Sequence, residues 1–260
     1  MLELNTVHHC LDLELIAALD DSSVDAFVVD PPYGISNNVP VIIDPDSGGR
    51  YNRVNEEWDR FVPIEWMELC RPKLKPGGSV VAFGSWDSMG IIHAEARRMG
   101  WRALNRIVWH KTDPAPNFSG RMMTFSTEEF FWYCPDGTGW TYNTDDAKRM
   151  NGGSNLHDVW NIGQTREQRF HPTQKPLGLM ERIIRLITNE GDLVVDLFAG
   201  SGTTLIAARN WKRNFVGCDM LEKNVLIARD RLRMPFDTRS MFMSDYVGDL
   251  PMFRAVEEST

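Results

Sequence analysis

The chain has 260 residues, 42% hydrophobic and 25% charged, with a formal net charge of −8. That size suits one large α/β domain, and the acidic balance argues against a general polyanion binder. No segment approaches the roughly 18 apolar residues of a membrane span, and Met1-Leu2-Glu3-Leu4 lacks the basic start of a secretory signal. Cys10, Cys70, Cys134 and Cys218 are scattered without a CxxC pair, so they are expected as reduced buried thiols of a cytoplasmic protein, with no metal site.

The charge is uneven. Residues 1–70 hold 3 arginines against 14 acidic residues, and residues 71–135 hold 9 lysines and arginines against 5 acidic residues. This permits a basic face, although ordinary solvated surface explains it as well. In chain order, Val24–Val29 reads as a buried strand. Residues 75–78, Lys-Pro-Gly-Gly, read as a turn ahead of a strand at 79–83. Residues 87–99 read as a helix, with Asp87 as N-cap and Gly100 at its stop. Residues 106–109 and 129–134 are β-branched or aromatic and strand-like. The clearest helix pattern is at 175–189, where Leu177, Met180, Ile184 and Ile187 recur at helical spacing, Pro176 suits the first turn and Gly191 follows the end. Strands at 193–198 and Asn214–Asp219 flank a helix at 203–211, and a helix at 221–234 closes the core. Residues 34–60 and 112–171 resist assignment, as functional loops or surface insertions do.

Two strand ends carry chemistry. Leu193-Val194-Val195-Asp196-Leu197 runs into Phe198-Ala199-Gly200-Ser201-Gly202-Thr203-Thr204. A glycine-rich turn between strand and helix lets a ligand approach the backbone closely. Asp196 stands ready to accept a hydrogen bond from a cationic amino group. Asp219, 23 positions later, ends the next strand and suits ribose hydroxyls. Nicotinamide and S-adenosylmethionine enzymes share this geometry. GxGxxG is absent and no Gly-Lys-Ser/Thr follows, so the loop is neither a dinucleotide fingerprint nor a phosphate loop.

The other strand end is Asp30-Pro31-Pro32-Tyr33, closing Ala26-Phe27-Val28-Val29. These residues suit holding an exocyclic amine while its nitrogen attacks a sulfonium methyl. Asp30 accepts one amine hydrogen and the Pro31 carbonyl the other, which withdraws the lone pair from conjugation. Tyr33 offers a ring to stack on a base taken out of its helix. Pro31 and Pro32 stiffen the turn and remove competing donors. A proline turn capping a strand would explain the two prolines, but not Asp30 and Tyr33 beside a glycine loop.

With these motifs in this order, the chain resembles the β-group DNA amino methyltransferases, in which a DPPY segment precedes the cofactor loop. The likeness spans nearly the whole length. Ser23-Val24-Asp25 with Asp30–Tyr33, Leu74-Lys75-Pro76-Gly77-Gly78, His171-Pro172-Thr173-Gln174-Lys175-Pro176 and the 196–204 loop match the family layout. The resemblance implies the Rossmann-like fold of S-adenosylmethionine-dependent methyltransferases: α/β, with a mostly parallel seven-stranded sheet and helices on both faces. It implies one domain over 1–260 in permuted order, with a catalytic half at about 1–111, a target-recognition insertion at about 112–170 and a cofactor half at about 171–235. The catalytic residues would be Asp30, Pro31, Pro32 and Tyr33. S-adenosylmethionine would be held by His9, Cys10, Asp30, Lys175, Asp196, Phe198, Gly200, Ser201, Gly202, Thr203 and Asp219. One departure stands out. Family members usually carry Asp-Cys about twenty residues before DPPY, against the cofactor's adenine, and here the pair is His9-Cys10.

The implied activity is methyl transfer to adenine N6 in double-stranded DNA by base flipping, without a covalent intermediate. DPPY rather than SPPY leans toward adenine. A cytosine-N4 enzyme, an RNA amino methyltransferase and a catalytically silent relative are the alternatives, and the intact motif argues against the last. A place in restriction–modification, a cytoplasmic location in a bacterial or phage-infected cell and a homodimer are further expectations. Arg121, Lys148, Arg149, Arg166 and Arg169 are expected to face DNA.

Overall fold

The computed structural model describes residues 2–36, 42–43, 50–51, 59–114, 123–164 and 174–235. In chain order the elements are β1 (Thr6–His9), α1 (Asp12–Ala18), β2 (Val24–Val29), β3 (Ile42–Ile43), β4 (Arg50–Tyr51), α2 (Glu65–Cys70), β5 (Leu74–Gly84), α3 (Ser88–Arg98) and β6 (Arg102–His110). They continue with β7 (Thr127–Cys134), α4 (Thr144–Arg149), β8 (Val159–Asn161), α5 (Leu177–Ile187), β9 (Leu193–Asp196), α6 (Thr203–Asn210), β10 (Asn214–Asp219) and α7 (Glu222–Arg233).

The central sheet has the order β1-β10-β9-β2-β5-β7-β6-β8, and β7 runs antiparallel to both its neighbours. Its central strands β2 and β9, and β5 from residue 79 on, are apolar on both faces because both faces are covered. Ala26 and Val28 of β2 pack with α5, α6 and α7, whereas Phe27 and Val29 pack with α1, α2 and α3. β3 and β4 form a separate antiparallel ribbon.

The site is positioned by a reversal in strand order. β2 and β9 are parallel neighbours, with Ala26 opposite Val194 and Phe27 opposite Val195. From β9 the chain crosses through α6 to β10 on one side. From β2 it crosses through α2 to β5 on the other. The two crossovers lie on opposite faces, so a crevice opens beyond the carboxyl ends of β2 and β9. Asp30 follows β2 and Asp196 ends β9 at that crevice.

Three expectations need correction. The sheet has eight strands rather than seven, because Val108–His110 of β6 pairs with the short β8. The strand-like residues 129–134, within the stretch at 112–170, fall in β7, an integral strand between β5 and β6. Residues 75–78 lie within β5, where the β2–β5 register shifts between Val24 and Ala26. The bulge absorbs the glycines without ending the strand. At the start of α3, Asp87 makes no side-chain cap; Ser85 Oγ accepts the Ser88 N–H at 3.2 Å, and Ser88 Oγ accepts the Ser85 N–H at 2.8 Å. Cys70, Cys134 and Cys218 are buried free thiols, and Cys10 is half-buried.

Candidate active site

The turn after β2 converges with the segment before α5. Tyr33 Oη donates to Asp30 Oδ1 at 2.6 Å. Lys175 Nζ donates to Asp30 Oδ2 at 2.6 Å and to Tyr33 Oη at 2.9 Å. The same ammonium lies 3.2 Å from Glu128 Oε2, and Lys111 Nζ lies 2.6 Å from Glu128 Oε1. Lys175 is only 6% exposed. Burial alone would push its ammonium down, but Asp30 and Glu128 outweigh burial and hold it above the ordinary lysine range. Burial pushes the Glu128 carboxyl up; Lys175 and Lys111 outweigh that, and it sits below its ordinary value. Burial, then the charges of Asp30 and Glu128, push the Tyr33 phenol well up, so it stays a neutral donor.

The glycine loop is built from the next strand end. Gly200 has φ +51°, and a Cβ there would meet nothing nearer than the Phe198 carbonyl oxygen at 4.0 Å, so its backbone borders open space. Gly202 has φ +80°, and a Cβ there would sit 2.9 Å from Ala228 Cβ, so glycine is what lets the loop close on α7. Asp219 Oδ2 accepts the Gly200 N–H at 2.9 Å; Oδ1 accepts Leu221 N–H at 2.8 Å and the Asn224 amide at 3.0 Å. Buried Arg231 donates to Ser201 Oγ at 2.9 Å and Thr203 Oγ1 at 3.2 Å. Asp196 is buried and accepts the Phe198 N–H at 3.0 Å. Burial raises its carboxyl to about 7 against hydrogen bonds from Thr204 and Phe198, with Asp30 and Asp219 adding to the rise. A raised carboxyl beside open glycine backbone fits a ligand with a cationic amino group and a nucleoside, as S-adenosylmethionine is.

The structure brings Asp30, Tyr33 and Lys175 together, and separately Asp196, Phe198, Gly200, Ser201, Gly202, Thr203 and Asp219. Between Asp30 and Tyr33, Pro31 is buried and Pro32 half-buried. His9 pairs in register with Asp219, which puts His9 and Cys10 at the same end of the sheet as the loop; His9 Nε2 lies 3.2 Å from the Met220 carbonyl oxygen. The ammonium of Lys175 sits on Asp30, which like Lys175 is expected among the cofactor residues, and the neighbouring Gln174 Oε1 accepts from Ser201 Oγ at 3.4 Å. Glu128, Lys111, Asn224 and Arg231 escaped sequence reading. Glu128 had a signal: period-two alternation puts it on the face of Phe130 and Trp132, where an acid needs a partner. Lys148 and Arg149 lie on α4, which packs toward the far end of α5, where Asn143 Nδ2 donates to the Arg185 carbonyl at 2.7 Å. Arg121, Arg166, Arg169 and residues 171–173 lie outside the described residues.

Fold and site together define an α/β methyltransferase domain. Residues 24–230 match the family described as DNA methylase, N6_N4_Mtase. The Type II methyltransferase M2.DpnII of Streptococcus pneumoniae is 34% identical over 249 residues, 88% of this chain and 90% of that protein. M2.LlaDCHI of Lactococcus lactis subsp. cremoris is 34% identical over 86% of this chain and 87% of its own. The crystal structure of the M1.HpyAVI–SAM complex superposes with a TM-score of 0.67 at 27% identity, covering 87% of this chain and 98% of that one. PvuII DNA methyltransferase, titled cytosine-N4-specific, shares the fold at a TM-score of 0.68 and 16% identity. The chain belongs to the N6/N4 DNA methylase family: it is a DNA methyltransferase that uses S-adenosylmethionine.

Proposed function

We propose that the chain methylates N6 of adenine in DNA, with Asp30 and the Pro31 carbonyl holding the amine. The observation that carries this is the crevice between β2 and β9, with Asp30 at one strand end and the glycine loop at the other. Asp at position 30 favours adenine within the resemblance, and the Type II methyltransferase names of the relatives support a place in restriction–modification. The same reading carries double-stranded DNA as the acceptor, a cytoplasmic location and a homodimer.

S-adenosylmethionine, when bound, supplies the methyl group on an electrophilic sulfonium. Asp196 would hold its amino group, Asp219 its ribose hydroxyls, and the backbone of Gly200, Ser201 and Gly202 would border it, with Phe198, Thr203, His9 and Cys10 around. Asp30 Oδ1 accepts from Tyr33 and Oδ2 from Lys175, and a carboxylate oxygen keeps a further lone pair with which to accept an amine N–H. Accepting both amine hydrogens, at Asp30 and Pro31, turns the nitrogen lone pair out of the ring's conjugation. Lys175 orients Asp30 and offsets its charge in a partly buried site. Tyr33 presents its ring to the base and ties its hydroxyl to Asp30.

Sequencing that detects modified bases, on DNA from cells expressing the protein, tests the proposal. Methylated adenine at one recurring sequence is the expected result. Methylated cytosine in its place overturns the choice of base.

A further inference from the structure

Asp59 lies in the stretch that sequence reading left unassigned. Its side chain is buried, 3% exposed. Asp59 Oδ1 accepts the backbone N–H of Tyr33 at 2.7 Å and of Gly34 at 3.1 Å. Asp59 Oδ2 accepts the Ser36 hydroxyl at 2.9 Å, and the Ser36 N–H donates back to the Asp59 carbonyl at 3.1 Å. One carboxylate thus gathers three donors from the turn that follows Asp30.

The need for such a partner follows from the sequence. Pro31 and Pro32 have no N–H, so the first two residues of the turn have no donor with which to anchor it. Tyr33 and Gly34 bring the first available donors, and both go to Asp59. Gly34 is also left-handed, with φ +70°. Without an acceptor here, two buried or half-buried N–H groups would be stranded, and the backbone carrying the Tyr33 ring would be free to turn.

We propose that Asp59 is a positioning residue for methyl transfer, holding Tyr33 so that its hydroxyl meets Asp30 and Lys175 and its ring meets the base. This rests on the reading of Asp30 and Tyr33 given above. The contacts of Asp59 are to the turn backbone and Ser36, so it acts through Tyr33 and not on the reacting atoms. The charge itself is dispensable in this role. In Asp59→Asn the amide oxygen still serves Tyr33 and Gly34, and the amide NH2 finds the Ser36 oxygen as acceptor.

Single-turnover methyl transfer to DNA by the full-length protein tests this. Transfer by the unaltered protein establishes the reading beneath the proposal; the variants then test Asp59 alone. Asp59→Ala should slow the step about 100-fold, as a misplacement near 1 Å does. Asp59→Asn should stay within about 5-fold of the unaltered protein, since the acceptor survives. Cofactor affinity should hold in both, because the glycine loop is fastened by Asp219 and Arg231. In a Tyr33→Ala background the cost of Asp59→Ala should shrink to about 3-fold or less, because coupled residues are not additive. Ser36→Ala is the milder variant, with a loss of about 3–10-fold that also fades in that background. Asp59→Asn as slow as Asp59→Ala, or an undiminished cost without the Tyr33 side chain, overturns the proposal.

Discussion

Lys175 Nζ stands 2.6 Å from Asp30 Oδ2, joining the segment ahead of α5 to the residue after β2 across 145 positions of sequence. With Glu128 and Lys111 the pair forms a row of alternating charges, Asp30–Lys175–Glu128–Lys111, along the edge of the crevice. Lys175 is nearly buried while Asp30 and Glu128 keep about one-fifth of their side-chain surface. One cation therefore serves two carboxylates and a phenol.

Lys175→Met should accordingly destabilise the protein. Two partly buried carboxylates lose their shared partner, and the cost should be about 3 kcal/mol, at the lower end for a broken buried pair because both acids retain some water. Urea denaturation measures it. An unchanged midpoint would show that the row contributes no net stability.

Tyr33→Phe should slow methyl transfer about 10-fold, for loss of one charge-assisted hydrogen bond of about 1.5 kcal/mol. DNA affinity should change little, since the ring remains to stack. Sequence alone offers the ring for stacking, and Tyr33→Phe is then expected to keep most of that stacking. The 2.6 Å contact to Asp30 gives the hydroxyl its own part. Equal rates for Tyr33→Phe and the unaltered protein would return the role to the ring.

The raised Asp196 carboxyl, at about 7, gives two linked pH effects. Its folded value lies above the unfolded one, near 4, so the folded state binds the extra proton between the two values. Its contribution to stability is fully present below the unfolded value and is lost as pH rises through about 7. Cofactor binding runs the other way. A cationic amino group favours the ionised carboxylate, so affinity should rise from pH 6 to pH 8, with proton release on binding at the lower pH. Calorimetry in buffers of differing ionisation enthalpy reads both. Asp196→Asn should remove the pH dependence; its persistence would place the titrating group elsewhere.

Against the expectation from sequence that Lys148 and Arg149 face DNA, their place on α4 predicts that replacing both with Gln leaves the salt dependence of DNA binding unchanged. Asp146, on the same short helix, meets Arg185 at 3.1 Å, eight residues along α5 from its start at Leu177 and about 12 Å by helical rise. A salt slope reduced by about one per charge removed would bring α4 into the DNA footprint.

The legible parts of this protein are those where one local pattern decides. Val24–Val29 and Asn214–Asp219 match the expected strands residue for residue, because short apolar runs such as Ala26–Val29 and 215–218, bounded by polar residues, admit little else. The glycine loop declares itself because glycine is the residue most at ease at the positive φ of Gly200 and Gly202, and because a Cβ at Gly202 would collide with Ala228. Less was legible where distant segments meet. β8 is three residues long and exists through its pairing with β6. The Lys175–Asp30 contact needs the β2–β9 adjacency, which no local pattern encodes. Asp59 looks like any loop acid until the two prolines, which carry no N–H, are seen to leave Tyr33 and Gly34 with the first donors that can anchor the turn.

The central claim is that Asp30 presents an adenine amine to a methyl donor held at the neighbouring strand end. The most direct measurement incubates purified protein with DNA and labelled S-adenosylmethionine, digests the DNA, and separates the nucleosides, for the unaltered chain and for Asp30→Ala. The account predicts label in N6-methyladenosine from the unaltered chain, and none from Asp30→Ala even though that variant still binds the cofactor. Label in N4-methylcytosine, or an Asp30→Ala variant that methylates adenine at the normal rate, would contradict it.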